Sequence, residues 1–183
     1  MIKVCVCMAE GFEEVEMLTV VDILRRADMM VSIVSVADKL QVTGAHKICV
    51  EADYLWGEVN LDSYDCIFLP GGMPGTLNLG AHQGVKEQIK KFAETGRRVA
   101  AVCAAPSVLG ENGLLEGKKA VCYPGFEDKL KGAEVLKEKV VTDGNITTSR
   151  GMGTCIPLAL ELVGLYQGEE AAEKIGKGII YLD

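Results

Sequence analysis

Histidine is nearly missing from this chain: there are two, His46 and His82, in 183 residues. None of the seven cysteines forms a C-x-x-C pair, and no ligand spacing ties either histidine to a cysteine, so no metal is expected. No apolar run approaches the ~18–20 residues that cross a bilayer, which excludes a membrane helix from the expectations. Met1–Glu10 holds an apolar stretch of only eight residues, interrupted by Lys3 and followed by acids, and does not read as a signal peptide. Basic charge is also short, with 19 Lys+Arg against 26 Asp+Glu and a net charge of −7; such a chain repels phosphate backbones, so nucleic acid is not expected as a partner. G-x-G-x-x-G is absent, because Ile156 stands where Gly151 and Gly153 would need a third glycine. G-x-x-x-x-G-K-[ST] is absent too, because Gly178 follows Gly176-Lys177. No nucleotide cofactor, and no cofactor of any kind, is therefore expected. The 21 glycines show no period of three, and there is no repeat, low-complexity tract or long linker.

What remains is an ordinary globular balance, 49% hydrophobic and 25% charged, of a length that suits one domain over residues 1–183. The cysteines are odd in number, and Cys5, Cys7, Cys66 and Cys103 lie in apolar runs; buried free thiols suit a reducing cytoplasm. Cys5 and Cys7 share one face of a strand, which by itself makes no metal site.

Short β-rich runs alternate with helical periods. Strands are expected at Ile2–Met8, Val31–Val36, Cys66–Leu69, Val99–Cys103 and Ile146–Ser149, with short ones at Lys119–Cys122 and Val140–Thr142. Helices are expected at Glu13–Arg26, Gln83–Thr95, from Pro106 to Glu111, at Thr154–Gln167 and at Glu169–Ile175. Gln41–Glu51 reads as a hairpin around Gly44. Lys86, Lys90 and Lys91 mark a solvated helix face, and Trp56 reads either as a core anchor or as a partly exposed contact. Continuous apolar strands are buried on both faces, as in parallel sheets. The fold class is therefore α/β: a doubly wound sandwich, mostly parallel, with a small accessory hairpin.

Ligands of such sheets bind beyond the carboxyl ends of the strands. Four loops qualify: Ala9–Glu16, Pro70–Gly75, Cys103–Pro106 and Arg150–Thr154, and all four should meet at one edge. Cys103 ends a buried strand just before a helix. A residue on that turn takes a rare backbone conformation, and the helix N–H groups favour its thiolate, which should lower its pKa. A plain buried cysteine explains the same letters equally well. Gly71-Gly72 reads as a tight turn or as part of an anion pocket in which the Gly72 and Ala104 N–H groups flank the sulfur. Arg150 would meet an anion at the pocket or pair with a glutamate. Glu13, Glu14 and Glu16 all complement a helix N-terminus, and the letters alone do not choose among them.

Leu69–Gly72 (LPGG), Ala101–Pro106 (AVCAAP), Ala9–Glu16 (AEGFEEVE) and Thr148–Thr154 (TSRGMGT), in this order and spacing, resemble the ThiJ/PfpI superfamily, and more narrowly its DJ-1 branch. Asp22–Ala27 (DILRRA) and the chain length fit as well. The resemblance implies a flavodoxin-like, class I glutamine amidotransferase-like sandwich and a homodimer. It implies a cytoplasmic deglycase or glutathione-independent glyoxalase, an oxidative-stress sensor, or a chaperone. By position, Cys103 resembles the elbow nucleophile, Glu16 the acid that contacts its sulfur, and Gly72 and Ala104 the oxyanion donors, with Gly71, Arg150 and Tyr123 around the pocket. Several branches place a histidine in the region matching Val121–Pro124. Here Tyr123 stands there, either supplying a hydroxyl or filling space. A Cys-His-acid triad is thus absent and protease chemistry disfavoured, whereas thiolate chemistry needs no such base.

Two readings of different class follow. One is an enzyme in which Cys103 attacks a small aldehyde or glycated substrate. The other is a redox sensor or chaperone signalling through oxidation of Cys103 without turnover. The first helix, with Val15, Leu18 and Val21, is expected to meet its two-fold mate.

Overall fold

A computed structural model describes residues 1–183. The strands are β1 (Lys3–Met8), β2 (Met30–Ser35), β3 (Gln41–Thr43), β4 (Cys49–Glu51), β5 (Tyr54–Leu55), β6 (Cys66–Leu69), β7 (Arg98–Val102), β8 (Lys119–Ala120), β9 (Glu134–Val135), β10 (Val140–Asp143) and β11 (Ile146–Ser149). The helices are α1 (Glu14–Arg26), α2 (Gly75–Ala81), α3 (Gln83–Glu94), α4 (Pro106–Glu111), α5 (Cys155–Gln167) and α6 (Glu169–Gly178). Seven strands form one sheet in the order β10-β11-β7-β6-β1-β2-β5, parallel throughout except for β10, which returns antiparallel on β11. No helix is long and apolar enough to cross a membrane.

The period-two geometry of the strands sorts the core into two layers. Val4, Val6 and Met8 of β1 point to the side covered by α1 and α5, where Met17, Val20, Leu24, Leu158 and Val163 pack. Cys5 and Cys7 point to the other side, against Leu79 of α2, Val85, Ile89 and Phe92 of α3, and Val108 and Leu109 of α4. The helical spacing of α3 thus buries the three residues its sequence marks, with Lys90 and Lys91 in solvent. The β3–β4 hairpin pairs outside the main sheet and lies over the start of α1.

Three local differences from the sequence expectations have simple causes. The helix α2 follows Pro74 over only seven residues, too short to show a period. The strand expected at Lys119–Cys122 ends at Ala120, and its parallel partner β9 is two residues of mixed polarity. Trp56 is half-buried, with its ring edge-on to His82 at 5.1 Å between centroids. It is therefore the partly exposed contact of the two alternatives, not a core anchor.

Candidate active site

β1, β6, β7 and β11 are consecutive parallel neighbours, so the loops leaving their carboxyl ends converge on one edge. Cys103 is the first residue past β7, and its φ of 64° lies in the left-handed region that non-glycine residues avoid. Such a conformation costs about 1–3 kcal/mol and persists only where neighbours hold it. Two do: the Cys103 N–H donates to the Ser149 carbonyl at 3.0 Å, and the Tyr123 N–H donates to the Cys103 carbonyl at 2.7 Å. The turn leaves the thiol half-buried, with the N–H groups of Ala104 and Gly72 acting on the sulfur.

Glu16 comes from the first turn of α1 and is 1% exposed. Its Oε2 accepts the Gly71 N–H at 3.0 Å and its carboxyl hydrogen-bonds the Cys103 thiol. Gly71 stands between the two. A Cβ there would lie 2.5 Å from Glu16 Oε2 and 2.6 Å from Cys103 Cβ, so only glycine lets strand end, carboxyl and sulfur meet. Burial pushes the Glu16 carboxyl up to about 7, helped by the charge of Glu13 and opposed by the thiol and by the Gly71 and Met152 N–H groups.

The sequence expectation of a depressed thiol pKa needs a correction. Burial, then the charge and hydrogen bond of an ionised Glu16, push Cys103 up to about 12, while the Ala104 and Gly72 N–H groups pull it down. Protonating Glu16 removes the second and third causes, because a neutral acid carries no charge and donates to sulfur instead of accepting from it. The two groups titrate as a pair. The turn alone does not make the thiolate; a proton on Glu16 lifts part of the opposition to it, and burial remains.

The structure brings Cys103, Glu16, Gly71, Gly72 and Ala104 together. Tyr123 is half exposed, with its ring 3.4 Å from where a Cβ on Gly151 would stand, so it walls the mouth rather than filling the interior. Arg150 lies apart from the sulfur. Its guanidinium reaches the Lys137 carbonyl at 3.4 Å, and its charge acts on Cys122 and Glu127. Neither histidine reaches the cysteine: His82 caps α3 by accepting the Val85 N–H, and His46 packs on Glu14.

Sequence reasoning missed two features. One is Cys155, a thiol pushed up by burial and by the charges of Glu16 and Cys103; it opens α5 fully buried, with its S–H directed at the Gly151 carbonyl at 3.4 Å. The other is a clamp at Glu14. Its Oε1 accepts the N–H of His46 at 2.8 Å and of Ile48 at 3.3 Å, and its Oε2 lies 3.1 Å from His46 Nδ1. Glu13 Oε1 is 3.4 Å from the same ring nitrogen, so the three side chains bring ligand-type atoms within 4.8 Å of one another. A Cβ on Gly44 would collide with the Glu14 carboxyl, which gives the hairpin glycine a second reason beyond its turn.

The description of the DJ-1/PfpI family matches residues 2–165. Protein DJ-1 homolog A of Arabidopsis thaliana is 38% identical over 179 residues, which are 97% of this chain and 46% of that protein. The chain thus spans about half the length of that relative. A deglycase of Pyrococcus abyssi is 32% identical over 166 residues, 89% of this chain and 98% of the relative. Among solved structures, oxidized Toxoplasma gondii DJ-1 superposes with a TM-score of 0.95 at 37% identity, covering 99% of both chains.

Proposed function

We propose that this chain, which belongs to the DJ-1/PfpI family, is a cysteine-dependent enzyme of the deglycase or glyoxalase type, acting on reactive aldehydes or their adducts. One observation carries the reading: a half-buried thiol and a buried carboxyl, hydrogen-bonded through the gap that Gly71 leaves, with the carboxyl poised at about 7. A general acid–base works best with a pKa near the working pH.

For a 2-oxoaldehyde the steps balance without an oxidant. The Cys103 sulfur adds to the aldehyde carbon, the Gly72 and Ala104 N–H groups hold the alkoxide, and Glu16 delivers its proton to that oxygen. The Glu16 carboxylate then removes the proton from the former aldehyde carbon, giving an enediolate; that proton returns to the neighbouring carbon while the hydroxyl proton of the former aldehyde oxygen passes to the neighbouring oxygen. The product is a thioester of a 2-hydroxy acid. Water hydrolyses it, releasing the acid and restoring the thiol, so R–CO–CHO and water become R–CHOH–COOH. Methylglyoxal consumption and lactate appearance test the reading: wild type turns over and Cys103→Ser does not. Equal rates for the two proteins would refute it.

A second reading, an oxidation sensor, has its own support. A protonated Glu16 beside the sulfur can donate to a sulfinate oxygen, and the Toxoplasma gondii relative is described in an oxidized state. Peroxide oxidation confined to Cys103, with no aldehyde turnover by the wild type, would favour it. We further propose a homodimer through α1. Val15 and Leu18 are 47% and 39% exposed on its outer face, whereas Val21, grouped with them on sequence, is buried in the core. Sedimentation of wild type at twice the chain mass, and of Leu18→Asp at the chain mass, is the expected outcome. The unpaired state of all seven thiols is in keeping with a cytoplasmic setting.

A further inference from the structure

Resting on the site reading above, we infer that the Cys103 pocket selects uncharged carbonyl compounds over anionic ones, and that Glu13 is the residue that sets this preference. The N-cap and first turn of α1 contribute three carboxylates to this edge of the sheet, Glu13, Glu14 and Glu16. Glu16 faces the sulfur. Glu14 is ionised: against its burial, hydrogen bonds from its own N–H, from His46 and from Ile48 hold it below the ordinary carboxylate range. Glu13 is tied to the oxyanion loop, since its N–H donates to the Gly71 carbonyl at 2.9 Å and its backbone abuts Gly72. Its side chain is only 16% exposed. Glu13 stands three residues before Glu16, and its charge acts on Glu16 and on Cys155, the two side chains nearest it at this end of α1 and α5 whose acidity it shifts.

Within the chain no lysine or arginine pairs with Glu13 or Glu14. The one cation-forming group at the carboxylates is His46, a single imidazole 3.1 and 3.4 Å from Glu14 and Glu13. One imidazole against two carboxylates leaves a net negative charge whether or not the ring is protonated. Arg150, which the sequence offers as an anion receptor, is turned toward the Lys137 carbonyl instead. A carboxylate or phosphate on the incoming molecule therefore meets repulsion in a site partly shielded from water, where charges act at a reduced effective dielectric; discrimination of about tenfold is expected from one such charge.

Two reagent pairs test the inference, each differing in charge. Cys103 is alkylated with iodoacetamide or iodoacetate, and the rate ratio is compared with that of a small free thiol. The expected ratio favours iodoacetamide about tenfold more than in the free thiol, Glu13→Gln lowers that excess at least threefold, and Glu13→Asp, which keeps the charge, retains it. A ratio equal to that of the free thiol, or one indifferent to Glu13→Gln, overturns the inference. The second pair is 4,5-dioxopentanoate and its methyl ester, with the ester turned over about tenfold better in kcat/KM; equal values overturn the inference. Failure to turn over either compound, with the alkylation excess intact and removed by Glu13→Gln, overturns the enzymatic reading and supports the charge selection.

Discussion

Glu14 and Glu16 lie two residues apart in one turn of α1, 3% and 1% exposed, each with a glycine pressed against its carboxyl. Their acidities move in opposite directions. At Glu14 the accessory hairpin supplies the N–H groups of His46 and Ile48, and an anion with that many donors is stable even when buried. At Glu16 the partners are the backbone N–H groups of Gly71 and Met152 and a thiol, and burial wins. Depth and donors decide the protonation together: the Glu14 carboxyl is ringed by donors near the hairpin, whereas the Glu16 carboxyl lies deeper in the fold with fewer. One side of the turn has become a structural clamp and the other a proton carrier.

The sharpest way to break this contrast is to neutralise each acid in turn. Glu16→Gln should lower methylglyoxal turnover by roughly 10²-fold or more, the scale of a lost general acid–base. Glu14→Gln should change kcat/KM less than about threefold, because its carboxyl acts through the hairpin rather than on sulfur. Comparable losses from both would erase the distinction.

Stability against pH comes next in size. Between about pH 5 and 7 native Glu16 holds a proton that the unfolded chain has released, so the unfolded state binds fewer protons and stability falls as pH rises until the native proton is lost as well. The full displacement, from the ordinary 4.5 to about 7, corresponds to about 3 kcal/mol. Urea denaturation of wild type and Glu16→Gln should therefore show wild type losing ground by up to that amount from pH 5 to 8. A constant difference across the window would show that Glu16 is ionised throughout.

The clamp gives the opposite sign and a smaller number. The lowered pKa of Glu14 contributes stability that is present above the ordinary carboxylate value and lost as pH falls through its native one. Glu14→Gln should destabilise by about 1–3 kcal/mol at pH 7, the range for leaving buried donors poorly matched. Retained stability, with amide exchange at His46 and Ile48 unchanged, would mean the clamp holds nothing.

The smallest effect sharpens the sulfur side. Graded peroxide should take Cys103 to sulfinate, with a disulfide to Cys155 or Cys122 as the minor product, because Cys155 and Cys122 are buried thiols whose thiolates are disfavoured. Shortening the acid in Glu16→Asp should change the oxidation rate a few-fold and let the reaction run past sulfinate. Peptide mass spectrometry reads both; an unchanged rate and end-point would remove Glu16 from the oxidation chemistry.

Much of this arrangement is legible in the letters. The apolar strands, the period of α3 and the break after β7 follow from local chemistry, because burial on two faces, burial on one face and the need for a turn each leave a distinct pattern. That the loops carrying Cys103, Gly71, Glu16 and Arg150 share one edge follows from the parallel alternation itself. The choice of Glu16 among three neighbouring glutamates does not follow from it. α1 turns about 100° per residue, so which acid faces the sulfur depends on how the helix is rolled against β1, β6 and α5, and long-range packing sets that roll. The directions of Arg150, Cys155 and His46 are not legible for the same reason: side-chain direction at a loop carries no periodic signature. The sequence by itself determined the raw material of the sheet, the presence of a cysteine at the break after β7 and the acidic character of the first helical turn; that this cysteine sits on a strained elbow is seen in the fold. Only the tertiary structure decided which acid holds the proton, because that depends on donors delivered by a hairpin some thirty residues away.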